Sequence, residues 1–212
     1  PGEFATLLRV KPLYVLDDVC RHWERLERHI FRSAMCRHPR GFDVLCQSGY
    51  PAGGGIPHVR LSSLVVRGIV SELRQAYALS VIELDRTLAM RQIEVMRAAD
   101  VVLLLVRPDA PSVRRACWAM KTAKSMQVPH ERFALVLARS GRRDQLASAT
   151  IERVFQRAVV AQIPEAPQAV GHAVGDGRGL IDGPGSSRLA ACLKRLAQSL
   201  VAELPLPTAA RA

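Results

Sequence analysis

The run DVVLLLVR, Asp100 to Arg107, decides the fold. Six aliphatic residues, Val101 to Val106, stand between an acid and a base, which is too short for a membrane span of roughly 18 residues and right for one strand. No position in it is polar, so the pattern predicts a strand covered on both faces, as in a parallel sheet flanked by helices.

Working outward, further short apolar runs fall at Phe42 to Cys46, Leu79 to Leu84, Phe133 to Ala138 and Ala158 to Ile163. Helical spacing separates them. Val66, Ile69, Val70, Leu73 and Tyr77 mark one helix face, and Val113, Ala116, Cys117 and Met120 mark another after Pro111, whose missing N–H suits a first turn. Arg91 to Ala99, Ala147 to Arg157 and Ser186 to Leu204 also read as helices, and Val15 to Ala34 reads as one long helix carrying Trp23, Leu26 and Ile30. Gly49 to Pro57 and Gly171 to Gly185 read as loops, and the tail from Pro205 as frayed. The expectation is an α/β fold with a mostly parallel sheet and helices on both faces, one domain over residues 1–204 with a flexible tail over 205–212.

Composition narrows the chemistry. At 212 residues, 49% hydrophobic and 23% charged, the chain can bury a full core without a disulfide or metal staple. Its five cysteines, at 20, 36, 46, 117 and 192, form no C-x-x-C pair, which points to thiols in a reducing cytoplasm. Cys36 and His38 are the closest pair of metal-ligating types, and no second pair stands at ligand spacing, so no metal site is assigned. The first residues carry no secretory signal. A net charge of +11 makes nucleic acid, anionic lipid or acidic protein natural partners.

Motifs for catalysis are absent: there is no G-x-x-x-x-G-K-[ST], no G-x-S-x-G and no H-E-x-x-H. Gly175, Gly177 and Gly179 make a G-x-G-x-G, but after helical rather than strand spacing, which reads as a surface loop. No catalytic residue is assigned. Glu83 and Asp85 stand at the end of an apolar run, where open α/β sheets bind ligands, but from the residues alone a polar strand exit facing water is the better account of both. The segment Pro111 to Met126 turns Arg114, Arg115, Trp118 and Lys121 away from its apolar stripe, giving either a solvated face or a surface for anionic partners.

Six stretches in order carry a family resemblance: GEFATLL, HPRGFDVL, AYALSVIELDR, AADVVLLLVRPDAPSVRRA, VPHERFALVLAR and VVAQIPEAPQAVGHAVGDGRGLID. Together they resemble the MinD/ParA superfamily of deviant Walker P-loop ATPases, above all its CpaE/TadZ branch, which positions the assembly machinery of type IVb (Tad) pili. The resemblance implies a P-loop upstream of Pro1, ATP and Mg2+ as ligands in the family, and an ATP-dependent homodimer. It also implies pilus or secretion proteins as partners, DNA or an anionic membrane as a further surface, and a cytoplasmic, polar or membrane-associated location. By resemblance alone, Glu83 falls near metal and phosphates, and Arg139 and Pro164 near the base. Two departures stand out. Where the family ends its strand on Asp-Leu-Pro-Arg, this chain has Glu83, Leu84, Asp85 and Arg86; where the family has Asn-Arg, it has Ala138 and Arg139. An added methylene displaces a carboxylate that magnesium needs in near-ideal octahedral geometry, and the adenine-reading amide is lost. The alternatives are therefore a degenerate scaffold that kept the fold, and a ParA-like DNA-binding partition factor.

Overall fold

A computed structural model describes residues 4–25, 28–47, 62–142, 144–176, 179–181 and 187–204. The chain divides into two compact units, Pro1–Thr87 with Val174–Arg178, and Leu88–Ala173 with Gly179–Ala212.

In the first unit, helices α1 (Phe4–Leu7), α2 (Leu16–Arg21) and α3 (Arg28–Ser33) precede a small antiparallel pair, β1 (Cys36–Arg37) and β2 (Asp43–Val44), and then the longer α4 (Ser63–Ala76). Ser62 caps α4, its Oγ accepting the Val65 N–H at 3.3 Å. Val19, Phe31, Ala34 and Ile69 form the core of this unit, with Trp23 packed against it edge-on to Phe31 at 6.1 Å. A Cβ at Gly68 would lie 2.2 Å from the Trp23 ring, so the indole occupies the notch that this glycine leaves on α4. Tyr77 Oη and Arg37 both donate to Asp43 at 2.9 Å. Burial pushes the Asp43 carboxyl up, but these donors outweigh it and leave its pKa lowered.

Three expectations fail in this unit. The long helix over Val15–Ala34 is broken into α2, a 3₁₀ turn at Trp23–Arg25 and α3, because seating Trp23 on Gly68 takes that stretch out of α-helical register. Phe42–Cys46 yields only the two-residue β2, paired antiparallel with β1 rather than in a parallel sheet. Leu79–Leu84 is not a strand: it joins no sheet, Val81 is 89% exposed, and the run ends in a turn where Asp85 Oδ1 accepts the Thr87 N–H at 2.7 Å. Aliphatic composition sets strand propensity, but a ladder needs a neighbour, and among the described residues none pairs here.

The second unit follows the sequence reading closely. After α5 (Met90–Ala98), a parallel sheet in the order β3-β4-β5 forms from Val102–Val106, Phe133–Ser140 and Val159–Pro164. Its crossovers are α6 (Ala110–Ser125) between β3 and β4, and α7 (Ser148–Phe155) between β4 and β5. Central β4 buries Phe133, Leu135, Val136 and Leu137. Along β3 burial alternates: Val106 is enclosed, whereas Leu103 and Leu105 are exposed, so the run is not covered on both faces by the described residues. Arg132 ties α5 to this sheet, its guanidinium donating to the carbonyl oxygens of Arg97 and Ala99 at the helix C-terminus, where a cation also meets the negative end of the dipole.

Helix α8 (Pro167–Asp176) overturns the expected start of a loop at Gly171, and residues 174–176 of it group with the first unit. It buries no side chain, so no apolar period marks its continuation past Gly171. The last helix, α9 (Ser187–Glu203), packs on β5, with Cys192 Sγ donating to the Gln162 carbonyl at 3.1 Å. The expected loop Gly49–Pro57 and the tail from Pro205 lie outside the described residues.

Candidate functional site

Parallel sheets of this kind receive ligands at the carboxyl ends of their strands. At the end of β3, Asp109 caps α6 by accepting the Ser112 N–H at 2.8 Å, while Arg107 Nε donates to its other oxygen at 2.7 Å. The Ser112 bond and the Arg107 guanidinium hold the Asp109 carboxyl below its usual range.

At the end of β4 the chain turns through Arg139 and Gly141, both in the left-handed region at φ 57° and 111°. A non-glycine residue there needs fixing from outside, and Gln145 supplies it. Its side-chain amide donates to the Arg139 carbonyl at 2.7 Å, and its oxygen accepts the N–H groups of Gly141 at 2.9 Å and Arg142 at 3.1 Å. Ser140 is opposite Pro164 in the register, its Oγ donates to the Ile163 carbonyl at 3.1 Å, and the Glu165 N–H donates back to the Ser140 carbonyl at 3.1 Å. Arg142 reaches Glu165 at 3.8 Å, and the Leu146 N–H donates to the Pro108 carbonyl at 3.0 Å. The ends of β3, β4 and β5 are thereby bonded into one rim.

The fold matches that of solved ParA and MinD ATPases. A ParA family ATPase from Chlorobium tepidum superposes with a TM-score of 0.80 at 18% identity, over 94% of this chain and 82% of its own. The MinD of an Aquifex aeolicus MinC:MinD complex gives 0.72 at 20%, over 97% and 81%. MinD from Pyrococcus horikoshii, solved with Mg-ADP, gives 0.75 at 16%, over 95% and 80%. No family model matches the sequence, and no curated protein does. This is the ParA/MinD fold. At these identities the likeness concerns fold alone.

Against this fold, the site residues read from the sequence fare differently. Arg139 and Pro164 come to the same rim, one residue apart in the β4–β5 register. Glu83 stands in the first unit, exposed, in a stretch outside any sheet, and makes no hydrogen bond or ion pair with a described residue. Arg114, Arg115 and Lys121 are exposed on α6. Ser140, Arg142, Gln145 and Glu165 were missed; only the Ser-Gly step after an apolar run hinted at a turn.

Mg-ATP does not fit the residues described. A phosphate cradle needs backbone N–H groups at a strand-to-helix turn, and the sequence holds no such glycine loop. Gly175 of the G-x-G-x-G lies inside α8 with open space around a would-be Cβ, and Gly177 falls outside the described residues. Among the described residues no three His, Cys, Asp or Glu side chains cluster as a metal site. What the β3–β5 rim offers is an edge carrying Arg107, Arg139 and Arg142, held together by the hydrogen bonds of Gln145, Ser140 and Glu165.

Proposed function

We propose that this chain is a CpaE/TadZ-like positioning factor for type IVb pilus or secretion machinery, acting as a docking module of the ParA/MinD fold with a degenerate nucleotide site. The fold, superposing on a ParA ATPase with a TM-score of 0.80, carries this reading, and the ordered segments from Gly2 to Asp182 select the branch. Within the longer polypeptide envisaged here, an upstream segment supplies the P-loop and two copies form the dimer. Arg139 and Pro164 lie beside the base, and Glu83 serves the magnesium end poorly because of its extra methylene. Arg114, Arg115 and Lys121 face an anionic partner.

Deleting the gene in its host should abolish surface pili of this class while leaving growth and chromosome partition unchanged. Normal piliation with missegregated chromosomes would instead support the ParA-like partition reading. The degenerate site is tested separately. In protein carrying the upstream segment, the double reversion Glu83→Asp with Ala138→Asn should raise ATP affinity up to about tenfold, the worth of one recovered amide hydrogen bond and a better-placed carboxylate. Wild-type turnover equal to that of a relative with both family residues, unchanged on reversion, would remove the scaffold reading.

A further inference from the structure

The outer face of α6 combines charge and an aromatic that nothing in the rim uses. Arg114, Trp118 and Lys121 follow at i, i+4 and i+7, which aligns them in one stripe, with Arg115 and Lys124 to either side. The helix holds no acidic residue, and none of its four cations forms a salt bridge with a described residue. The apolar side is separate: Val113, Ala116, Met120 and Ala123 are buried.

The aromatic is the informative member. Residues 88–173 and 179–212 contain three aromatics, Trp118, Phe133 and Phe155. The two phenylalanines are buried, whereas Trp118 is 59% exposed at the centre of the cationic stripe. We propose that this stripe docks the protein on a bilayer containing anionic phospholipid, with the Trp118 indole at headgroup depth and Arg114, Arg115, Lys121 and Lys124 on lipid phosphates. The inference is independent of any nucleotide chemistry.

Shape favours a bilayer over nucleic acid. Non-specific binding to duplex DNA comes essentially from phosphate contacts, to which an indole contributes no charge. Single strands are held in grooves by successive stacking aromatics, whereas α6 is a convex helix with one. A flat interface matches a 16-residue helix, about 24 Å long, lying on its side with an amphipathic ring between cations. Each cation near an anionic surface contributes about fivefold in partition, so one face binds reversibly and two faces in a dimer bind firmly.

The test is flotation with vesicles of phosphatidylcholine alone and of phosphatidylcholine with about one-third phosphatidylglycerol. Binding should require phosphatidylglycerol, weaken as salt rises from about 50 to about 500 mM, and resist inorganic phosphate beyond its ionic strength. Trp118→Ala should lower partition about tenfold, and Arg114→Glu with Lys121→Glu by about a hundredfold or more, both with unchanged circular dichroism. The emission difference between wild type and Trp118→Phe, which isolates Trp118 from packed Trp23, should shift to the blue on the vesicles. Absence of vesicle binding, or vesicle binding indifferent to both variants, overturns the proposal. Shielding of Trp118 by a DNA strand with no vesicle binding would transfer the stripe to nucleic acid.

Discussion

Two apolar runs of equal length met different fates: Leu79–Leu84, which includes Ser80 and Glu83, and Val101–Val106, which has no polar position. The second supplies β3, hydrogen-bonded to β4 over five register pairs and burying Val106 completely; the first joins no sheet and leaves Leu79, Val81 and Ile82 exposed. Ser80 and Glu83 make the first run less apolar, but both have the length and aliphatic content of a strand. What separates them is a neighbour: β4 lies beside β3, returned to it by α6, while no described strand lies beside residues 79–84. Strand propensity is a property of the run, and strand formation a property of the pair.

Amide exchange should break or sharpen this contrast most strongly. Protection of β4 and of the β3 amides bonded to it should exceed that of residues 79–84 by about a thousandfold or more, equivalent to roughly 4 kcal/mol of opening free energy. Equal protection in the two runs would mean that 79–84 is paired after all. Core truncation comes next in size. Leu137→Ala, inside β4, should cost about 2–5 kcal/mol in urea unfolding, whereas Val81→Ala should stay within about 0.5 kcal/mol.

A smaller effect belongs to the tie between α5 and the sheet. Arg132→Ala leaves the Arg97 and Ala99 carbonyls without their donor and should destabilise by about 1–2 kcal/mol, with Lys recovering only part. The smallest concerns pH. Asp43 has a lowered folded pKa, so its contribution is present above the unfolded carboxylate value of about 3.9 and lost as pH falls through the folded one. Wild type should therefore lose stability below about pH 4 slightly more steeply than Asp43→Asn, and equal slopes would show that Arg37 and Tyr77 do not favour the charged form.

The same contrast explains what was legible in the sequence. In residues 88–173 the apolar runs sit next to their partners through single crossovers, so local pattern and final structure agree to within a residue or two at Val102–Val106, Phe133–Ser140 and Val159–Pro164. The first 87 residues depend on distant contacts. Nothing in the spacing of Val15–Ala34 says that Trp23 will seat on Gly68 of another helix and interrupt the helical run. Helix α8 was legible only as helical spacing before the G-x-G-x-G, and its two glycines and lack of a buried face hid its extent past Gly171. At the rim, Arg139 and Pro164 came only from the family resemblance. Gln145 was out of reach, because its role exists only once Arg139 turns left-handed and presents a carbonyl to it.

The chain has the ParA/MinD fold, and among the described residues no phosphate cradle is formed. Titration calorimetry of the purified 212-residue chain with Mg-ATP tests it most directly. The loop amides and lysine that supply most phosphate contacts are missing from the sequence, so the expected result is no saturable heat, or binding no tighter than about 1 mM, equivalent to about 4 kcal/mol. Stoichiometric binding at micromolar concentrations would contradict the account, since it would require a phosphate cradle that the described residues do not form.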